Sequence, residues 1–298
     1  MYRVPRLIRA REGALPTFFV IGAARSGTTS LHYYLSLHPG IQMSATKEPS
    51  FFAGPAGDVP YGAPRVASMA DYRALFNPYV PVRGEASPSY SAYPRRLGVP
   101  GRIRECVPDA RIIYLVRDPI ERTVSHYLHR VAVEGEHRTI TEALADLDPA
   151  NIYVSASCYG TQLEQYLMHF PAPSILVIKQ EELGRARSET LRRIFAFLGV
   201  AEDFTSPRFA LEYRGSDARR RFPRWYRAAL DFGARTPLAR LPASSRRRLR
   251  ARIEGAVLPG LPEAALGEQL RARLADVLRP EAERLRKLTG LDTATWSL

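Results

Sequence analysis

Three short stretches hold residue types at spacings that can do chemistry. The first is "FFVIGAARSGTTSL" (Phe18–Leu31), where Gly22 and Gly27 have the spacing of a Walker A loop, G-x-x-x-x-G-K-[ST]. The lysine that should follow the second glycine, and reach the β- and γ-phosphates of a nucleotide, is missing; Thr28 stands there. What remains is a strand, a glycine-bearing turn and a helix N-terminus. That arrangement offers backbone N–H groups and a favourable dipole to an anion. Arg25 puts a guanidinium inside the loop, where it can grip phosphate oxygens with two N–H groups at once. Ala24, Ser26 and Gly27 supply loop backbone, and Thr28 and Thr29 add hydroxyl donors. The loop argues against triphosphate hydrolysis and for a different phosphate.

The second stretch is "IIYLVRDPIERTVSHYLHR" (Ile112–Arg130), again a strand running into a helix, with Pro119 suited to the first turn. Arg117 falls at the strand's C-terminal end, which projects into the crevice where open α/β sheets bind ligands. Ser125, on the helix that follows, can face the same anion. Arg117 and Asp118 can equally form a structural ion pair with Ser125 at the surface, so this stretch alone leaves the choice open. The third stretch, "ATKEPSFF" (Ala45–Phe52), sets Lys47 and Glu48 just before an aromatic pair expected to bury. A carboxylate near the mouth of an anion pocket is a candidate general base. A solvated Lys-Glu pair is the alternative.

The elements that must position these groups follow from hydropathy. Apolar runs of strand length alternate with longer helical patterns, which predicts βαβ units and a mainly parallel sheet flanked by helices. Strands are expected at Phe18–Ile21, Ile112–Val116 and Ile175–Ile178, with a weaker one at Val82–Gly84. Helices are expected to begin near Thr28, Ile120, Gly160 and Ser188. Glycine and proline between Ala53 and Pro64 predict a loop. From about Pro223 the pattern is helical and strongly basic, and Arg279-Pro280 should break it into two pieces. We expect a single domain over residues 1–298, with its core at about 17–200 and a helical C-terminal extension at about 223–298.

Composition sets the outer bounds. The chain has 298 residues and is 45% hydrophobic, enough for a substantial core. No apolar run approaches the roughly 18–20 residues that span a bilayer. The segment before Phe18 is basic and lacks the apolar centre of a secretory signal. Two cysteines, Cys106 and Cys158, do not make a disulfide framework, so a cytoplasmic location is the expectation. The net charge of +13 comes almost wholly from arginine, since lysine occurs only at Lys47, Lys179 and Lys287. That bias fits either a GC-rich genome or a surface that attracts anions. The Ala228–Arg252 region, with Arg246, Arg247 and Arg248, suits a polyanion or a membrane surface, or simply a solvated helix face. Aromatics for base stacking are scarce there, so a nucleic-acid partner is not expected. No H-x-x-x-H or carboxylate cluster has metal-ligand spacing, and no metal is expected.

Together the three stretches resemble the sulfotransferases that use 3′-phosphoadenosine 5′-phosphosulfate (PAPS), and most closely the heparan-sulfate sulfotransferase branch with its bacterial relatives. In that family a [KR]-[SG]-G-T loop after the first strand cradles the 5′-phosphosulfate, and "ARSGTTSL" matches it with Arg25 where many members carry lysine. The family's 3′-phosphate site is an Arg-Asp-Pro turn with a serine eight residues after the arginine, which Arg117 and Ser125 match. Its catalytic glutamate precedes a buried aromatic pair, in a pattern like E-x-x-F-F that Glu48 fits. The resemblance runs from Phe18 to about Val200 and includes "GEASPSY", "YGTQLEQYLMHFP" and "ILVIKQEEL" followed by "FLGV". Two features depart from it. Ala86 stands where heparan-type enzymes often carry a lysine, a role that Lys47 or Arg25 can assume. The basic loop that covers the nucleotide is placed at "YRGSDARRRFP", with Arg214, Gly215, Arg219, Arg220 and Arg221 as candidates.

The resemblance implies PAPS as donor, PAP as product and in-line sulfuryl transfer to a hydroxylated acceptor, with an acidic sugar or glycolipid among the candidates. Glu48 would take the acceptor's proton, while Arg25, the loop N–H groups and Thr28 stabilise the departing phosphate and Lys47 assists. Another sulfotransferase branch uses histidine as base. Here His126 adjoins Ser125 and points elsewhere if Ser125 faces the nucleotide, His38 lies in a helix-ending turn, and His32, His129, His137 and His169 have no supporting context. A P-loop kinase and a non-catalytic nucleotide- or polyanion-binding module are the competing readings.

Overall fold

The computed structural model describes residues 13–54, 66, 68–210 and 266–298. Five strands form one parallel sheet: β1 (Phe18–Gly22), β2 (Ile41–Met43), β3 (Val82–Ala86), β4 (Arg111–Val116) and β5 (Ile175–Lys179). Their order is β2-β3-β1-β4-β5, which puts β1 in the centre. Strands buried on both faces read as unbroken apolar runs, and all five residues of β1 are buried. The period of two then divides them between two cores. Phe19, Ile21, Ile112, Tyr114 and Val116 pack on one face, and Phe18, Val20, Ile113, Leu115 and Ile178 on the other.

The weakly patterned strand belongs inside the sheet. β3 runs two residues further than its apolar pattern suggests and pairs with both β1 and β2. Its Gly84 lies opposite Phe18, and a Cβ there would come within 2.0 Å of the Phe18 ring. β2 is an additional strand, only three residues long and poor in apolar signal.

The four helices expected near Thr28, Ile120, Gly160 and Ser188 begin within a residue of those positions, and further helices lie between and after them. In chain order the described helices are α1 (Thr28–Ser36), α2 (Met69–Arg73), α3 (Val99–Cys106), α4 (Pro119–Val133), the single turns α5 (Ile140–Ala143) and α6 (Ile152–Ser155), α7 (Tyr159–Leu167), α8 (Gln180–Arg185) and α9 (Arg187–Leu198). The last, α10, spans Glu268–Thr289 without interruption and carries Pro280 inside it. The break expected at Arg279-Pro280 therefore does not occur. Pro280 sits on the exposed side, while Leu274, Leu278, Ala282 and Leu285 are buried against α4 and α7. Burial of that apolar stripe offsets the lost hydrogen bond.

After α10 the chain returns to the sheet. Trp296 is buried with its ring 5.7 Å from that of Tyr159, and the Ser297 N–H donates to Asp118 Oδ2 at 2.6 Å. Lys179 Nζ donates to the Asp292 carbonyl at 2.7 Å. The C-terminal segment is thus tied to the end of β5 and to the Arg117–Pro119 turn. The remaining basic stretch, with Arg246, Arg247 and Arg248, lies outside the described residues. Among the described residues no helix is long and apolar enough to cross a membrane.

Candidate active site

The C-terminal ends of β1 and β4, adjacent in the sheet, deliver the first two chemical stretches to the same place. β1 ends at Gly22, and the loop turns into α1 through Gly27, which sits at φ 91°. A side chain is strained at that φ, so glycine is the natural residue there. α1 has no side-chain cap and no acidic residue in its first turn. The N–H groups of its first turn, at Thr28 and Thr29, therefore look for an acceptor from outside the helix. Thr28 is nearly buried and Thr29 half-buried.

Ser26 faces inward. Its side chain is fully buried, and its N–H already donates to the Ala23 carbonyl at 3.1 Å. It shapes the loop from below. Ala24 offers its carbonyl inward as well, to Arg122 Nη1 at 3.3 Å. Arg122 is fully buried, and its Nε donates to Ser157 Oγ at 2.6 Å while Nη2 donates to the Tyr153 carbonyl. This clamp under the loop was not legible in the sequence, where Arg122 looks like one more helical arginine.

Arg25 stands exposed at the loop's rim at φ 70°. Its Nε donates to Ser125 Oγ at 3.4 Å, and its Nη1 lies 3.4 Å from His129 Nδ1. Lost hydration, and then the nearby Arg117 charge, lower its pKa, while Glu48 pulls it the other way. Arg25 therefore feels both remaining stretches. Two like charges near each other repel, a repulsion that an anion between them would relieve.

The Arg117–Asp118 ion pair considered above does not form. Asp118 instead caps α4, accepting from the Ile120 and Glu121 N–H groups at 3.0 Å each. Arg117 reaches Glu121 at 3.6 Å, and its carbonyl accepts from the Tyr159 hydroxyl at 2.8 Å. The cap and Tyr159 fix the turn, and the Arg117 side chain stays about one-quarter exposed beside Glu121.

Lys47 Nζ contacts Glu48 Oε1, and both side chains are about one-quarter to one-third exposed, at 26% and 33%. The pair is neither buried nor freely solvated. Glu48 and Ser50 adopt φ 59° and 52°, and with Arg25 they are the non-glycine residues at positive φ among the described residues. Such backbone costs on the order of 1–2 kcal/mol per residue. All three lie in the candidate site. Phe52 buries, and Phe51, half-buried, stacks on Tyr72 at 4.5 Å. Arg102 holds the Phe52 carbonyl from Nε at 3.0 Å and Nη2 at 2.8 Å.

The histidines divide. His126 is buried beside Arg122, and burial followed by the surrounding cations holds its pKa well below the usual value. His38 is tied to the Ala201 carbonyl at 3.0 Å. His129 and His32, which carry no sequence signal, both border the site. Burial and then Lys47 push the His32 pKa down to about 4, and its Nε2 is buried without a protein partner. Ala86 is fully buried among Phe18, Val20 and Leu31. Arg214, Gly215, Arg219, Arg220 and Arg221 lie outside the described residues, where the covering loop was expected. Among the described residues no group of His, Cys, Asp or Glu has the geometry to hold a metal.

Residues 15–207 match the family model described as Sulfotransferase domain. Human heparan sulfate glucosamine 3-O-sulfotransferase 6 is 26% identical over 284 residues, covering 93% of this chain and 72% of that protein. Bifunctional heparan sulfate N-deacetylase/N-sulfotransferase 2 from Bos taurus is 27% identical over 207 residues, 62% of this chain, and the match spans only 22% of that protein's length. The crystal structure of a sulfotransferase from Alicyclobacillus acidocaldarius superimposes with a TM-score of 0.69 at 26% identity, covering 96% of this chain and 100% of that one.

Proposed function

This chain belongs to the sulfotransferase domain family, and we propose that it moves the sulfuryl group of PAPS to a hydroxyl of a carbohydrate or other hydroxylated acceptor. The observation that carries this reading is the position of Arg25, bonded to Ser125, repelled by Arg117 and drawn by Glu48. One side chain links the three chemical stretches, as a donor carrying a phosphosulfate at one end and a second phosphate at the other would require. The first-turn N–H groups of α1, with Arg25 and Thr28, suit the 5′-phosphate. Arg117 and Ser125 suit the 3′-phosphate.

In the transfer, an acceptor oxygen forms a bond to sulfur as the bond from sulfur to the 5′-phosphate oxygen breaks. Glu48 receives the acceptor's proton, and Lys47 beside it offers a cation to the sulfuryl oxygens or to an acidic acceptor. Arg25 and the loop N–H groups take up the charge that collects on the departing phosphate. These donors are fixed before reaction by the clamp on Ala24 and the capped α4. Glu48 has left-handed backbone, with its carboxyl one-third exposed beside Lys47.

The relatives named as heparan sulfate sulfotransferases support a sugar acceptor, and the arginine-rich composition suits an acidic one. Transfer of labelled sulfate from PAPS into fractions of a native cell extract tests this. Label in a polysaccharide or glycolipid fraction supports the reading. Label remaining in PAPS across all fractions overturns it.

A further inference from the structure

Glu85 is the penultimate residue of β3, opposite Phe19, and is fully buried without a cationic partner. Three hydroxyls donate to its carboxylate: Tyr72 to Oε1 at 2.5 Å, Tyr90 to Oε1 at 2.8 Å and Ser87 to Oε2 at 2.6 Å. Each of the three groups also holds one residue of the segment that follows Glu48. Ser87 Oγ accepts the Ser50 N–H at 3.1 Å, and the Tyr90 hydroxyl accepts the Phe52 N–H at 3.1 Å. The Tyr72 ring stacks on Phe51 between them, at 4.5 Å and 11°. Three consecutive residues are thus gripped by three groups that share one carboxylate.

The polarity of this network follows from hydrogen-bond inventory. An ionised carboxylate only accepts, so Ser87 and Tyr90 must spend their protons on Glu85. Their lone pairs are then turned toward the two loop N–H groups. A neutral amide in the same place has one acceptor oxygen and two donor hydrogens, and cannot receive all three hydroxyl protons in this geometry. At least one hydroxyl would turn or leave its proton unpaired. A fully apolar replacement would free all three.

We propose that Glu85 is the positioning residue of the Glu48 loop, its carboxylate aiming two hydroxyls that fix the backbone at Ser50 and Phe52 and so the place of the base. This rests on the reading of Glu48 as general base. The segment needs such a hold because Glu48 and Ser50 both sit at positive φ and would relax toward extended backbone without it. The sequence hides the device, since the two hydrogen bonds join "KEPSFF" to "GEASPSY" across 37 and 38 positions.

Glu85→Gln keeps the shape and removes the acceptor-only charge. At pH 8, amide hydrogen exchange at Ser50 and Phe52 should quicken at least tenfold in this variant, with the amides of β1 and β4 unchanged. Turnover of PAPS in an acceptor-containing extract should show kcat reduced at least tenfold and KM for PAPS within about twofold. Ser87→Ala should release Ser50 alone and Tyr90→Phe should release Phe52 alone, which keeps the proposal open to test if Glu85→Gln folds poorly. Unchanged protection at both amides overturns it, and so does equal acceleration throughout the sheet, which would mark Glu85 as core packing only. If the wild-type protein does not turn PAPS over, the proposed function fails, while the exchange measurements still decide whether Glu85 holds this loop.

Discussion

Arg25 Nε lies 3.4 Å from Ser125 Oγ, although the two residues are 100 positions apart. The bond joins the loop after β1 to the helix after β4, and an anion entering between them meets both. Arg25→Ala should weaken PAP binding and slow transfer about a hundredfold, the usual cost of losing one preorganised donor to developing charge. Ser125→Ala should weaken PAP binding by about 1–2 kcal/mol. Because the two residues touch, the double variant should lose less than the sum, which calorimetry on all four proteins of the cycle measures.

Glu48→Gln separates binding from chemistry. PAP affinity should stay within a few-fold of wild type, while kcat falls by roughly a hundredfold or more, as expected for a lost general base. Equal turnover by wild type and variant on every acceptor fraction would reduce the protein to a nucleotide-binding module.

The Glu85 carboxyl links stability to pH. Burial raises its pKa from 4.5 to about 7 against the three hydroxyl donors Ser87, Tyr72 and Tyr90, with Tyr166 also nearby. A folded pKa above the unfolded one favours the protonated form in the native state. Its stabilisation is therefore full below pH 4.5 and is lost as pH rises through 7, a change of roughly 3 kcal/mol. Urea titrations from pH 4.5 to 8 should show that decline in wild type and a flatter profile in Glu85→Gln. The ordering of the base loop should move the opposite way, strengthening as the carboxyl ionises.

Asp118 holds two segments at once, the start of α4 and the N–H of Ser297. Asp118→Ala should cost about 1–2 kcal/mol from the lost cap alone. It should also loosen the Arg117 turn, so PAP affinity should fall with stability. Asp118→Asn, which keeps an acceptor for the cap, should recover most of both.

Pro280→Ala tests why α10 is unbroken. The variant restores an N–H to the Asp276 carbonyl and removes the ring's clash, on a face exposed to water. Thermal unfolding should shift upward by an amount equivalent to about 1–3 kcal/mol. No gain would mean that the native helix already absorbs the proline without cost.

Much of this molecule could be read from its residues because the signals were local. The buried run Phe18–Ile21 has one geometry in a parallel sheet, and Gly27 before Thr28 marks a turn into a helix. β2 escaped because three residues carry too little pattern, and β3 seemed weak because Gly84 and Glu85 interrupt its apolar character. Those interruptions are the informative part: one admits the Phe18 ring and the other anchors the loop of Glu48. Pro280 misled because its local penalty is outweighed by burial on the opposite side of the helix, which only tertiary packing reveals. Arg122 and His129 reached the site through α4, whose rotation about its axis the spacing of Arg117 and Ser125 alone did not fix.

The central claim is that the cleft between the β1 loop and the Arg117 turn recognises a nucleotide with phosphates at both the 5′ and 3′ positions. Calorimetric titration of PAP and of 5′-AMP in excess EDTA tests it most directly. PAP should bind at a single site and at least tenfold more tightly than 5′-AMP, and Arg117→Ala should erase that preference. Equal affinity for the two nucleotides, a preference that survives Arg117→Ala, or binding only of ATP with Mg²⁺ would contradict it.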